Sequence, residues 1–283
     1  MDALSCSNGH HYGVEDGVLT LLETSFGQRL KAFTTAFNAI RSAEHKQLMD
    51  SSAYEGLPFS QAAKSPSGDA GWRLEWRLRG YDLAILLKLL RPRRRRVLDV
   101  GAWNGWLSHR LSLQGCEVTA VDYFADEHDG LGARKFYSTN WRAIQIDLTD
   151  LSVLDECFDI VVLNRCLQFF PDPLASVSAA CQMLSPGGML IATGLQFYQD
   201  PSHKARQVAE TRQSYQERYG FELFLRPTKA YLDFDDMKDL EAAGLALKPY
   251  PQLRLANLKA AFKRAQPRHL YGVYEAGGSE PGR

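Results

Sequence analysis

Three acidic residues and a pair of glycines are the positions in this sequence whose types and spacing could do chemistry: Asp99, Asp122 and Asp147, with Gly101 and Gly105. Each acid closes a short apolar run, Val97-Leu98-Asp99, Val118-Thr119-Ala120-Val121-Asp122 and Ala143-Ile144-Gln145-Ile146-Asp147, so each is predicted at the end of a buried strand. Glycine has no Cβ, which lets the backbone at positions 101 and 105 approach a ligand closely. Taken alone, a Gly-x-x-x-Gly turn between strand and helix is equally a plain tight connection. The later acids decide the reading, because the interval from Asp99 to Asp122 is 122 − 99 = 23 residues. That is close to the roughly 20 expected between a nucleotide-binding turn and the carboxylate that holds ribose hydroxyls. A nucleoside pocket is the favoured reading.

The type of nucleoside follows from what the turn lacks. A dinucleotide needs Gly-x-Gly-x-x-Gly, with a middle glycine to admit the pyrophosphate. Here the middle position is Trp103, and no basic residue lies in the turn. S-adenosylmethionine carries no phosphate; its ribose, adenine and charged amino-acid tail suit strand-end acids and a glycine turn.

Five segments, in order, resemble class I S-adenosylmethionine-dependent methyltransferases. Val97 to Ser108 is similar to their first motif, Asp122 to their ribose acid, and Asp147-Leu148 to their adenine-contacting pair. Phe158 to Asn164 with Phe170-Pro171-Asp172-Pro173 is similar to the fourth strand and its loop, and Leu184 to Ile191 to the turn into the fifth. The resemblance covers about 77–276. It implies that Asp99, Gly101, Ala102, Trp103, Asn104 and Gly105 hold the amino-acid tail and sulfur region. It also implies Asp122 and Tyr123 at the ribose and adenine, Asp147 and Leu148 at the adenine, and Asn164 and Arg165 at the rim beside the methyl. Two departures stand out: Trp103 in place of a glycine, and Gln168 where many small-molecule members carry histidine. Asn164-Arg165-Cys166-Leu167 replaces the Asn-Pro-Pro-Tyr of amino-group methyltransferases. Cys166, outside any Pro-Cys context, reads as an inert buried thiol in preference to a nucleophile.

The resemblance implies a three-layer α/β fold, a doubly wound seven-stranded sheet with its last strand antiparallel. The expected division is an N-terminal appendage over 1–71, a methyltransferase domain over 72–276 with a cap inserted at about 197–229, and a disordered tail over 277–283. Apolar spacing predicts helices over Gln28 to Met49 and Trp72 to Leu90, joined by an irregular stretch Ser51 to Gly71 in which Tyr54 and Phe59 either anchor a loop or cover a pocket. Arg73, Arg77 and Arg79 line the basic side of the second helix, where one could clamp a carboxylate. Within the cap, a polar helix is predicted from Ser202 to Tyr219, and substrate groups are expected among Tyr198, His203, Arg206, Tyr215 and Tyr231. His203 is a possible general base for a hydroxyl acceptor, as against an idle exposed histidine. With Gln168 and Tyr231 it completes the catalytic candidates. A last helix, Leu253 to Arg264, should turn Leu255, Leu258 and Phe262 inward and Arg254, Lys259, Lys263 and Arg264 outward.

Leu4 to Leu22 resembles the second half of a zinc-ribbon-like domain that precedes some of these enzymes. Asp129-Gly130-Leu131-Gly132-Ala133 with Tyr137 resembles a subgroup that shares it. Cys6, His10 and His11 fall short of four zinc ligands, so a metal-free hairpin remnant is expected. The chain has 283 residues, with 33 basic balancing 33 acidic side chains, which disfavours nucleic acid without excluding it. No run suits a membrane span, and five dispersed cysteines suggest a cytoplasmic protein. Methyl transfer to a small molecule, with no membrane partner, is the leading expectation. An RNA methyltransferase, resting on the basic last helix, and a non-catalytic partner subunit, resting on Trp103, are the alternatives.

Overall fold

The computed structural model describes residues 2–5, 11–44, 47–59, 70–90 and 95–277, and the chain divides into two compact units, 1–155 and 156–283. In the first unit, β1 (Asp2–Ser5), β2 (His11–Glu15) and β3 (Val18–Leu21) precede α1 (Thr24–Ala43), α2 (Ser51–Gly56) and α3 (Ala70–Leu90). Then come β4 (Arg96–Val100), α4 (Trp106–Ser112), β5 (Glu117–Asp122) and β6 (Arg142–Ile146). The strands lie in the order β1-β2-β3-β6-β5-β4. Pairing is parallel from β3 through β6 and β5 to β4, and Val97, Leu98, Ala120 and Val121 are buried as two-sided parallel strands require.

The N-terminal hairpin is therefore part of the sheet. Its β2–β3 turn is Asp16-Gly17, with φ of 50° and 74°, the positive values that a two-residue hairpin turn needs. Arg134 ties it down by donating from Nη1 to the Gly17 carbonyl at 2.9 Å.

The second unit contains β7 (Phe158–Asn164), α5 (Pro173–Gln182), β8 (Leu184–Tyr198), α6 (Ser202–Tyr219), β9 (Leu232–Asp233), α7 (Phe234–Ala242), β10 (Ala246–Pro249), α8 (Arg254–Phe262) and β11 (Arg268–Glu275). Its order is β7-β8-β11-β10, with β9 beside β8, and β11 runs antiparallel to both neighbours. Helix starts follow their side chains: Asp172 caps α5 ahead of Pro173, and Asp233 and Asp236 form a reciprocal capping box on α7. Strands β4 to β8, β10 and β11 are the expected seven, and the last is antiparallel as expected.

Several expectations are corrected. The first helix starts earlier than Gln28, because the Glu23 carboxylate caps it through Ser25 and Phe26, and it ends at Ala43, short of Met49. Ser51 to Gly56 is a helix rather than irregular chain, capped by Asp50. Tyr54 is a buried anchor stacked on Phe136, whereas Phe59 is 70% exposed. Phe197, placed in the cap, belongs to β8 and is fully buried. Leu255, Leu258 and Phe262 face solvent. Cys6 and His10 of the zinc expectation, the side chain of His11 and the tail beyond 277 lie outside the described residues.

The Asp129-Gly130-Leu131-Gly132-Ala133 segment holds the appendage to the strands. A Cβ at Gly130 or Gly132 would come within 2.6 or 2.8 Å of backbone at 124–126, so both positions need glycine for close approach. Buried Asp129 receives two bonds from Arg41 of α1, 3.1 Å from Nε and 2.8 Å from Nη2. Arg41→Ala strands that carboxylate, and should lower the unfolding free energy in urea by about 3 kcal/mol.

Candidate functional site

Strand pairing places the three acids on one face. Asp99 pairs with Ala120, two residues before Asp122, and Asp122 pairs with Gln145, two residues before Asp147. Paired residues in a parallel sheet, and residues two apart on a strand, point the same way. The carboxylates therefore climb the carboxyl ends of β4, β5 and β6 in steps of about 7 Å along the strand direction.

Asp99 is fully buried and accepts one hydrogen bond, from the Ser108 hydroxyl at 2.7 Å; its Oδ1 has no partner. Burial pushes its pKa up to about 7, with the neighbouring Asp122 charge adding to the effect and Ser108 opposing it. Asp122 is better served. Its oxygens accept from the backbone N–H of Trp103 at 2.7 Å and of Phe124 at 2.9 Å, yet burial still raises its pKa to about 6.

The glycine turn encloses these groups. Gly101 and Gly105 have φ of 71° and 76°, and a Cβ on Gly105 would lie 2.4 Å from the Trp141 ring. The N–H groups of Gly101 and Ala102 donate to the Val121 carbonyl, and Asn104 Oδ1 accepts from the Trp106 N–H at the start of α4. Trp103 itself has φ of 52° and is half-buried, with its ring stacked at 5.9 Å on Trp76 of α3. The bulky middle residue is thus held by α3, which removes the ground for expecting it to disable the turn. Of the three α3 arginines, Arg79 is the one at this place. Its guanidinium lies 5.6 Å from the Trp103 ring and 2.8 Å from Glu75, whereas Arg73 and Arg77 are exposed.

Farther along the row, Asp147 Oδ1 accepts from the Thr149 N–H and hydroxyl and from the Tyr123 hydroxyl at 3.2 Å, and Leu148 is buried beside it. Phe26 of α1 meets Tyr123 edge-on at 5.8 Å, and Phe33 and Phe37 pack against Phe124. The sequence reading missed this contribution of α1. Its only sign was the aromatic content of the apolar face. A cavity of about 460 Å³, lined by Val14, Leu19, Val118 and Trp141 among others, lies toward the amino ends of β5 and β6 and is a different place.

Within the second unit, Asn164 Nδ2 donates to the Thr193 hydroxyl, and Arg165, at φ 55°, packs its side chain over Gly194. Gln168 donates to the Arg165 carbonyl, and its own carbonyl accepts from the Thr228 hydroxyl. Tyr231 is half-buried under the Lys229 ammonium, and His203 is exposed in the first turn of α6. Cys166 is buried, as an inert thiol would be. Among the described residues, no group of three or more His, Cys, Asp or Glu could hold a metal, and no helix is long and apolar enough to cross a membrane.

Residues 98–192, which contain all three acids and the glycine turn, match the family model described as a methyltransferase domain. This match agrees with the expectation that the segment is part of a methyltransferase domain. Curated relatives include the ubiquinone biosynthesis O-methyltransferase of Xanthomonas campestris, 34% identical over 106 residues, 35% of this chain and 43% of the relative. Another is the ubiquinone biosynthesis O-methyltransferase of Xylella fastidiosa, 33% identical over 104 residues, 35% of this chain and 41% of the relative. The chain thus spans less than half the length of these curated relatives. Among solved structures, an O-methyltransferase family protein from Burkholderia thailandensis aligns with a TM-score of 0.46 at 15% identity, over 79% of this chain and 65% of that one.

The raised carboxyl pKa values fix a direction for the pH dependence of stability. The usual value for an aspartate is 3.8, against about 7 and about 6 for Asp99 and Asp122 in the fold. Below the unfolded value both states hold the protons, so the contribution to stability is complete. Above it the unfolded chain releases them first, and the contribution is lost as pH rises through 6 to 7. Burial of His109 lowers its pKa and acts in the opposite direction. Thermal melts from pH 5 to pH 8 should therefore show a smaller decline in Asp99→Asn than in the unmodified protein, and an unchanged decline would refute this assignment.

Proposed function

We propose that the protein transfers a methyl group from S-adenosylmethionine to a hydroxyl oxygen of a small organic acceptor. One observation carries this reading: the row of Asp99, Asp122 and Asp147 on one face at adjoining strand ends, inside the segment matched as a methyltransferase domain. The names of the relatives, which refer to O-methylation in ubiquinone biosynthesis, support oxygen as the acceptor atom.

The residues divide the binding task by charge. The unpartnered Oδ1 of Asp99 suits the cationic amino group of the tail, and Arg79 beside the turn suits its carboxylate. Asp122 still has acceptor capacity beyond its two backbone donors, which suits vicinal ribose hydroxyls. Asp147 and Leu148 offer an acceptor and an apolar wall to adenine, with Tyr123 above the carboxylate. Asn164 and Arg165 are assigned to the rim beside the methyl by the order of the motifs in the sequence alone. When bound, the cofactor supplies an electrophilic methyl group on a sulfonium sulfur. The protein's part is then to align the acceptor about 3 to 3.5 Å from that carbon.

Calorimetric titration with S-adenosylmethionine and S-adenosylhomocysteine tests the pocket. Asp122→Ala should weaken both by at least about tenfold, the loss expected when hydrogen bonds to a charged group are removed. Equal affinity in the variant would sink the reading. A folded, cofactor-binding protein that methylates RNA but no small hydroxylated acceptor would overturn the substrate class alone.

His203 is exposed, and among the described residues no side chain orients its ring as one would a general base. Replacement by alanine should leave turnover within about twofold, as for ordinary surface substitutions. A loss of a hundredfold would make it the base.

A further inference from the structure

Helix α8 turns its large apolar side chains outward. Leu255, Leu258 and Phe262, at helical positions i, i+3 and i+7, are 76%, 58% and 82% exposed. The inward side is made of small groups, Ala256, Asn257 and Ala260. This orientation is fixed by two hydrogen bonds to one residue of β11: Asn257 Oδ1 accepts from the His269 N–H at 2.7 Å, and Nδ2 donates to the His269 carbonyl at 3.0 Å. Rotating the helix to bury the leucines would break both.

Cations surround the apolar ridge. Arg254, Lys259, Lys263 and Arg264 are all exposed, and no acidic residue occurs from 250 to 269, in a chain whose overall charge is zero. Expecting no membrane partner rested on the lack of a spanning run. A surface contact needs no such run.

We propose that α8 docks this protein on an anionic lipid bilayer, with Leu255, Leu258 and Phe262 entering the headgroup and acyl boundary while Arg254, Lys259, Lys263 and Arg264 meet lipid phosphates. A convex apolar ridge flanked by long basic side chains is the geometry of interfacial helices, and each part reinforces the other. A second copy is a poorer occupant, because a twofold contact through this face would set like charges against each other. RNA would use the cations but leave the three large apolar groups in water. The inference is independent of the methyl-transfer reading.

Flotation of the full chain with vesicles tests it. Binding is expected to vesicles of equal parts phosphatidylglycerol and phosphatidylcholine, and to fall on phosphatidylcholine alone. The double variant Leu255→Ser, Phe262→Ser should lose at least about tenfold in partitioning through the apolar area removed. Lys259→Glu with Lys263→Glu should abolish the preference for phosphatidylglycerol. Phe262→Trp gives a readout independent of the serine variants: its emission should shift to the blue on the anionic vesicles. The proposal is overturned by absence of wild-type binding, or by serine variants that bind as well as wild type. It is equally overturned by a wild-type dimer that the serine variants dissociate without any vesicle binding, or by charge-dependent RNA retention without vesicle binding.

Discussion

The burial of two carboxylates at the ends of β4 and β5, with no cation paired to them among the described residues, is the constraint on which the first unit depends. Asp99 has one hydroxyl partner and a bare oxygen, and Asp122 has two backbone donors. Such groups are costly to desolvate, and a fold optimised for stability alone would replace them. Their retention at the mouth of a positive-φ glycine turn fits a site that gains its compensating charge from a ligand, and it explains why the surrounding elements are so firmly held. Trp141 fills the space beside Gly105, Trp76 carries Trp103, and Ser108 reaches Asp99 from the first turn of α4. Each contact limits the movement of the backbone around the turn.

The N-terminal segment serves the same end. β3 extends the sheet next to β6, and Thr20 donates to Gln145, whose own amide donates to the Tyr123 carbonyl. From the other side, Phe26 reaches Tyr123 and the Arg41–Asp129 pair fixes the loop after β5. A segment that the sequence presents as an appendage is, in packing terms, a wall against Tyr123 and the loop after β5. This gives a physical reason for the glycine-rich Asp129 to Ala133 stretch: its glycines admit the neighbouring backbone at 124–126, and its acid receives α1.

Local rules made most of this legible in the sequence. The apolar run ending in Asp122 marked that strand end to the residue, while β4 continues one residue past Asp99 to Val100, and Gly220 marked the end of α6 through a left-handed cap that favours glycine. Asp16-Gly17 is a hairpin signal whose turn geometry the structure reproduces. Illegible were the relations between distant residues: the aromatic bridge from α1 to Tyr123, the stack of Trp103 on Trp76, and the amide pair between Asn257 and His269. None of these has a spacing that marks it, because the partners meet only after the sheet has formed.

Helix α8 shows where periodicity stops being informative. The spacing of Leu255, Leu258 and Phe262 correctly places them on one face, since that follows from 3.6 residues per turn. Which face is buried depends on what the neighbouring strand presents, and β11 offers the backbone of His269, whose N–H and carbonyl match one amide side chain. Two hydrogen bonds with good geometry, together with close approach through Ala256 and Ala260, oppose the burial of three larger side chains. With the orientation held by these bonds, three large apolar side chains remain on the open face of α8, and covering them would gain roughly 25 cal/mol for each Å² of apolar surface removed from water, which is the gain that the proposed bilayer contact supplies.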